Sequence, residues 1–208
     1  MIETKSNKFS DRRYKITTRD GILSFCLSSI GPRTPRPTVF LDRDGVLNRR
    51  ISGGYVTCWA EFVFLPDVAE TLGRLGAEFQ LVVVSNQAGV AKGILSCVDL
   101  IHITQASLDE LQARGLVVQG AFFCLHAPSD ACSCRKPKVG LLEEAARVLP
   151  IDFHRSFFIG DSPSDMEAGE RMGCTTIFLD GSADDAVPAA YRAGSIRDAV
   201  GAILRVKS

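Results

Sequence analysis

From Thr38 onward the sequence calls for a three-layer α/β fold, a parallel sheet with helices on both faces. Short, nearly continuous apolar runs, TVFLD, FQLVVVSN, GAFFCLH, SFFIGD and TTIFLD, recur along the chain. Helix-like segments stand between them, and that alternation marks strands buried on both faces by crossover helices. At 208 residues and 46% hydrophobic, the chain can bury one substantial core, and neither internal repeats nor low-complexity tracts interrupt the pattern.

In chain order, residues 1–36 read as an extension or linker. Basic residues recur there at Lys5, Lys8, Arg12, Arg13, Lys15 and Arg19, and the segment ends in the stiff GPRTPRPT. Within it, GILSFCLSSI is apolar enough to dock as an added strand. Residues 37–208 form the domain proper. Its first strand is Thr38–Asp42, followed by a helix over Asp67–Leu75 and a second strand, Phe79–Asn86. A long helix over Val98–Arg114 precedes the strand Gly120–His126. A helix over Gly140–Leu149 then leads to the strands Ser156–Asp161 and Thr175–Asp180.

Charge excludes some functions. Lys plus Arg and Asp plus Glu each number 24, so no global field draws nucleic acid and an anion site must be a local cluster. No run reaches the roughly 18 apolar residues of a membrane span, and the N-terminus lacks the order of a signal peptide. A cytosolic protein without membrane or nucleic-acid partners is expected. Seven cysteines cannot all pair, and Cys26, Cys58, Cys97 and Cys174 are scattered as small hydrophobes would be.

Ligands of a parallel sheet lie beyond the carboxyl ends of its strands. The first run ends in Asp42-Arg43-Asp44-Gly45, the second in Ser85-Asn86-Gln87-Ala88-Gly89 and the fourth in Gly160-Asp161-Ser162-Pro163-Ser164-Asp165. Asp42 and Asp44 leave the strand end in different directions and can do different work, one as nucleophile on phosphorus, the other as general acid and base. Converging carboxylates repel unless a hard cation sits among them; oxygen-ligated magnesium fits, with Asp161 as a further carboxylate. Ser85 and Lys136 can balance phosphoryl charge. Alone, each motif also reads as an Asx turn or a helix cap at Ser164 or Asp165.

The third strand end opens into CLHAPSDACSCRKPK. Cys124, His126, Cys132 and Cys134 supply the number and kind of donors that a closed tetrahedral zinc site uses, and a reactive thiol cluster is the other reading.

Taken together, these motifs resemble the haloacid-dehalogenase (HAD) type phosphatases over residues 38–180. The resemblance implies a HAD-like, Rossmann-like sheet without a large cap domain. It makes Asp42 the nucleophile through an aspartyl-phosphate and Asp44 the general acid/base. Magnesium would be held by the Asp42 carboxylate, the Asp44 carbonyl and Asp161, while Ser85 and Lys136 stabilise the phosphoryl group. The loop at Cys124–Cys134 followed by CRKPK is similar to a zinc-loop subgroup that acts on heptose 1,7-bisphosphate or histidinol phosphate.

GGYVTCWAEFVFLPDV and SNQAGVAKG resemble the heptose branch. That implies removal of the 7-phosphate for nucleotide-heptose and surface-polysaccharide synthesis, with Gly54, Tyr55, Asn86, Gln87, Ala88, Lys92 and Arg135 as substrate-binding residues. The sequence departs from that branch at Lys92, where Arg is common, at Ser162, where a basic residue is common, and in NRRIS, where Arg49 and Arg50 replace an acidic residue. Histidinol phosphate is the alternative substrate. A DNA 3′-phosphatase is opposed by the neutral charge, and a zinc-stabilised interaction module by the complete catalytic set. With no cap, a loop-closed site in a monomer is expected.

Overall fold

The structure, a computed structural model, describes residues 13–28, 34–76, 78–179 and 187–206. Eight strands form one sheet in the order β1-β2-β5-β4-β3-β6-β7-β8. The strands are β1 (Tyr14–Arg19), β2 (Ile22–Leu27), β3 (Thr38–Leu41), β4 (Gln80–Asn86), β5 (Gly120–Cys124), β6 (Phe157–Gly160), β7 (Thr175–Leu179) and β8 (Tyr191–Ala193). Strands β5-β4-β3-β6-β7-β8 are parallel, while β1 pairs with β2, and β2 with β5, antiparallel. The expected strands therefore recur within a residue or two, except that Asp180 lies outside the described residues.

Alternation along each strand builds the three layers. On one face Val39, Leu41, Leu81, Val83, Phe157 and Ile159 pack with α1 (Val68–Gly73), α2 (Cys97–Ala113) and α5 (Ile196–Val206). On the other, Phe40, Val82, Val84, Phe122 and Phe158 pack with α3 (Gly140–Val148) and α4 (Pro163–Arg171). Phe40, Phe122 and Phe158 are fully buried, each worth about 1.5–3 kcal/mol of transfer free energy. Helix α2 starts at a capping box: Asp99 N donates to Ser96 Oγ and Ser96 N to Asp99 Oδ2, at 3.0 and 3.1 Å.

The sheet crosses the expected boundary at residue 36. GILSFCLSSI does supply an added strand, β2, and the polar segment before it supplies another, β1, so residues 14–27 are part of the sheet. Lys5, Lys8 and Arg12 lie outside the described residues. No helix among the described residues is long and apolar enough to cross a membrane.

Candidate active site

Strand β3 ends at Leu41, and Asp42 continues its line, with its N–H donating to Ile159 O at 3.0 Å. The chain then turns through residues 43–48, pinned by buried Val46 and Leu47 and by Arg43 O, which accepts from Leu47 N and Asn48 N. Gly45 sits in this turn at φ +97°, and a Cβ there would come within 1.9 Å of Asp161 Oδ2. Only glycine lets the β3 loop approach the β6 loop this closely.

The two aspartates face different surroundings, as their spacing requires. The Asp42 carboxylate is buried and accepts from Lys136 Nζ at 2.6 Å. Asp44 turns toward a buried guanidinium, that of Arg43, which grips both of its oxygens, at 2.8 Å on Oδ2. Asn48 Nδ2 and Gln87 Nε2 add donors to Asp44, each at 2.9 Å. Burial opposes the charge on Asp44, but Arg43, Asn48 and Gln87 outweigh it and hold the carboxyl below its ordinary range. For Asp42, burial dominates; Lys136 offsets part of it, while Asp165 and Asp44 add to it, and the pKa rises from 3.8 to about 6.

Lys136 lies at the centre. Its Nζ donates to Asp42 Oδ1 at 2.6 Å and to Val84 O at 2.7 Å, and forms an ion pair with Asp165 Oδ1 at 2.6 Å. Burial works against its charge, yet Asp165 and Asp42 raise its pKa above the ordinary lysine value. Asp165 is placed by the start of α4, where its Oδ2 accepts from Ser162 N and Oγ at 3.1 and 2.7 Å. Asp165 and Ser162, rather than Ser164, thus form the cap. Asp161, from the same loop, meets Arg50 at 3.1 Å, and its Oδ1 is buried with no hydrogen-bond partner among the described residues. Burial first, then the Asp42 charge, pushes Asp161 up to about 7.

Carboxylate oxygens of Asp42, Asp161 and Asp165 lie within 4.8 Å of one another, an all-oxygen donor set suited to a hard divalent cation. A second cluster, Cys124, His126, Cys132 and Cys134, gathers just as closely. Its sulfur and nitrogen atoms are 3.3–3.7 Å apart, against edges of about 3.8 Å for a tetrahedron of zinc–sulfur bonds. Cys134 donates to Cys124 and holds the Cys124 thiol down to about 5, whereas Cys134 itself is pushed up by that bond and by burial. These donors fit a closed site for a borderline-soft metal. Among the scattered thiols burial raises Cys97 and pushes Cys26 to about 11 and Cys174 to about 12, whereas Cys58 is exposed, unlike a packed hydrophobe.

A cleft of about 580 Å³ opens above Asp44, lined by Arg50, Gly54, Tyr55, Asn86 and Lys92 among others. Lys92 Nζ lies 5.4 Å from the Tyr55 ring centroid, and Gly89 leaves room for that ring. Asn86, besides lining the cleft, and the other residues expected around a substrate have further partners. Asn86 brackets Lys136, accepting from its N–H at 3.0 Å and donating to its carbonyl at 3.1 Å. Buried Gln87 serves Asp44 and Ser85 Oγ, and Ala88 is buried. Arg135 lies in a separate hollow with Lys136, Lys138 and Arg171, its Nη1 buried without a hydrogen-bond partner among the described residues. Arg43 and Asn48 join the site without having been among the expected residues, and Asp165, expected with Asp161 as part of the acidic loop but given no role, pairs with Lys136.

A parallel sheet with Asp-x-Asp at one strand end, Ser at the next and a Lys shared with an acidic loop defines a phosphate-handling hydrolase. The HAD-hydrolase-like family model matches residues 133–199. Among curated relatives, the Mycobacterium bovis D-glycero-alpha-D-manno-heptose-1,7-bisphosphate 7-phosphatase is 36% identical over 156 residues, 72% of this chain and 82% of the relative. The Helicobacter pylori D-glycero-beta-D-manno-heptose-1,7-bisphosphate 7-phosphatase is 39% identical over 140 residues, covering 65% and 78%. In a crystal structure, the D,D-heptose 1,7-bisphosphate phosphatase of B. bronchiseptica, complexed with magnesium and phosphate, superposes with a TM-score of 0.75. It is 28% identical, with 82% of this chain and 99% of that one covered. The chain belongs to the HAD-like hydrolases, in the family of the D-glycero-D-manno-heptose-1,7-bisphosphate 7-phosphatases.

Proposed function

We propose that this chain removes the 7-phosphate of D-glycero-D-manno-heptose 1,7-bisphosphate through an aspartyl-phosphate on Asp42, in the synthesis of activated heptose for a surface polysaccharide. The observation that carries the reading is the meeting of Asp42 with Lys136 at 2.6 Å beside Asp161, Asp165 and Asp44, below a cleft wide enough for a sugar phosphate.

In the first step an Asp42 carboxylate oxygen bonds to phosphorus as the phosphorus–oxygen bond to C7 breaks; Asp44, ionised in the free site, takes up a proton from solvent as the anionic substrate binds and passes it to the leaving oxygen. In the second, Asp44 takes a proton from water, whose oxygen displaces Asp42 and releases phosphate. Lys136 and Ser85 balance charge on the phosphoryl oxygens. Arg43 holds Asp44 in place, and Arg135, whose hollow is separate from the cleft, reaches a substrate anion only by a change of side-chain conformation. Gly54, Tyr55, Asn86 and Lys92 contact the sugar and its remaining phosphate, and buried Gln87 and Ala88 shape that wall from behind.

Magnesium is the cation for Asp42, Asp161 and the Asp44 carbonyl, and the buried, unpartnered Asp161 Oδ1 is an observation in favour. When bound, it supplies positive charge that lowers repulsion between the phosphoryl group and its nucleophile. Zinc is the metal for Cys124, His126, Cys132 and Cys134, with a structural role. A reducing cytoplasm, where these thiols stay unoxidised, is the expected setting.

The test is phosphate release with magnesium from both anomers of heptose 1,7-bisphosphate, beside histidinol phosphate and a 3′-phosphorylated oligonucleotide. Turnover of one or both heptose anomers at least about a hundredfold, about 2.7 kcal/mol, above the other two is expected. Preference for histidinol phosphate or the oligonucleotide overturns the substrate. The relatives carry both anomeric names, so the anomers are tested side by side.

A further inference from the structure

We infer that the Asp20-Gly21 turn of the N-terminal hairpin is part of the catalytic apparatus, with Gly21 as a positioning residue for Lys136 acting through His126 and the metal loop. The inference rests on the reading of Lys136 and the Cys/His cluster given above.

The turn is built by its sequence. Arg19 pairs with Ile22, and between them Asp20 and Gly21 have φ of 49° and 70°, the two-residue Asp-Gly connection suited to the twist of a hairpin. Strand β2 runs antiparallel to β5 with Ile22 opposite Cys124, so the turn arrives where the first metal donor leaves the sheet. Leu125 N donates to Gly21 O at 2.9 Å, which carries the pairing one residue further, up to His126. The hairpin is anchored firmly: Leu23 and Phe25 are fully buried, and Tyr14 Oη donates to Val118 O at 2.7 Å.

The His126 ring fills the space between this turn and the sulfur cluster. A Cβ on Gly21 would lie 2.1 Å from His126 Cε1 and 2.4 Å from Nε2, closer than any side chain can stand. Nδ1, itself 2.9 Å from that Cβ position, lies 3.3 Å from Cys134 Sγ and 3.6 Å from Cys124 Sγ. Glycine at 21 therefore sets the depth to which the imidazole can withdraw from the sulfurs. Backbone surrounding a ligating imidazole commonly fixes its orientation in this way. Cys134 stands two residues before Lys136, so a shift of the ring passes along a short, pinned stretch to the ammonium.

The experiment compares the full-length zinc-loaded chain with Gly21→Ala, His126→Cys and the double variant, with Gly115→Ala as control. Gly115 also has a positive φ, +82°, but nothing lies within 4 Å of its would-be Cβ, so it reports backbone strain alone. Zinc release to a colorimetric chelator needs no substrate. Gly21→Ala is expected to release zinc about 10–100-fold faster and to lower kcat with KM little changed, and Gly115→Ala to do neither. His126→Cys keeps four donors and removes the ring, so adding Gly21→Ala to it should leave release unchanged within about twofold. If Gly21→Ala does not fold, recovery of folding in the double variant supports the inference, and no recovery overturns it. Release and turnover of Gly21→Ala equal to Gly115→Ala, or an undiminished effect beside His126→Cys, also overturn it. If the substrate assignment fails, the wild-type chain is inactive on heptose bisphosphate while the zinc comparison still stands.

Discussion

Replacing Lys136 by Met keeps most of the side chain's apolar stem and removes the ammonium, and three contacts go with it. Asp42 and Asp165, both buried and both 2.6 Å from Nζ, are left facing each other without a cation, and Val84 O loses its donor. Breaking a buried charge pair from one side costs about 3–5 kcal/mol. For a domain of this size each kcal/mol lowers Tm by about 2–4 °C, so a fall on the order of 10 °C is expected. The loss is smaller at pH 5, where one carboxyl takes up a proton. Turnover suffers twice. Loss of one charge donor to the transferring group costs about 10²–10³ in kcat. Moreover Asp42 loses the cation whose charge lowers its pKa, so the acid limb of the kcat profile shifts upward. The assay is phosphate release at saturating magnesium from pH 5 to 9, beside thermal unfolding at pH 5 and 8. A variant within tenfold of wild type at pH 7, or an unmoved acid limb, refutes the role of Lys136.

Asp42→Asn should abolish turnover to below about 10⁻³ of wild type while changing Tm little or raising it, because it removes a buried charge; appreciable turnover contradicts nucleophilic attack by Asp42. In the metal-free protein, Asp42 and Asp161 have pKa values of about 6 and 7, above their ordinary 3.8. Between about pH 4 and 7 the folded chain thus holds more protons than the unfolded one, so this stability is fully present below pH 4 and is lost as pH rises through 7. Tm without magnesium should fall across that window, and the rise in Tm on adding magnesium should be greater at pH 8 than at pH 5; the reverse order contradicts the carboxylate assignment. Stripping zinc with a chelator should cut kcat at least tenfold and expose Cys124, Cys132 and Cys134 to thiol reagents, with activity returning on zinc addition. Unchanged kcat in zinc-free protein separates the loop from Lys136.

What was legible in the sequence depended on strand ends. A near-continuous apolar run that gives way to polar residues at Asp42, Ser85 or Asp161 announces both the strand and its functional end, because the middle of a parallel strand buried on both faces is apolar. The Cys/His cluster was legible for a related reason, since few uses require four such donors in eleven residues. The hairpin was half legible. Strand β2 is apolar, but in YKITTR only Tyr14 is buried, and an edge strand with one face in water carries little apolar signal. The partners of Asp44 were not legible: Arg43, Asn48 and Gln87 reach it because of the path of the 43–48 turn and the β4 register, neither of which has a periodic signature. Nor was the second use of Asn86 legible: it lines the cleft, and its amide also bonds both sides of the Lys136 peptide.

Those tethers explain why one lysine needs so much of the chain. Between Ala127 and Val139 the only buried residues are Cys134 and Lys136, so apolar packing cannot offset an ordering cost on the order of 1–2 kcal/mol per residue. A structural zinc site contributes about 10–16 kcal/mol, the right scale to hold such a segment. Bound there, zinc would fix Cys134 and leave two residues for Asn86 to orient, while Nζ bonds to Asp42 and Val84 O and pairs with Asp165 of α4. Each support alone leaves a freedom the others remove. The metal loop sets where Lys136 enters, Asn86 sets its backbone direction, and Asp165 opposes collapse of the ammonium onto Asp42 as a closed pair. Loss of Asp165 should therefore differ from loss of Lys136. Asp165→Asn keeps the cation but binds it tighter to Asp42, so Asp42 becomes more acidic and the acid limb moves down, opposite to Lys136→Met. Two variants at one ion pair that shift the same limb in opposite directions would show Lys136 shared between the carboxylates, and shifts of the same sign would show that it belongs to only one.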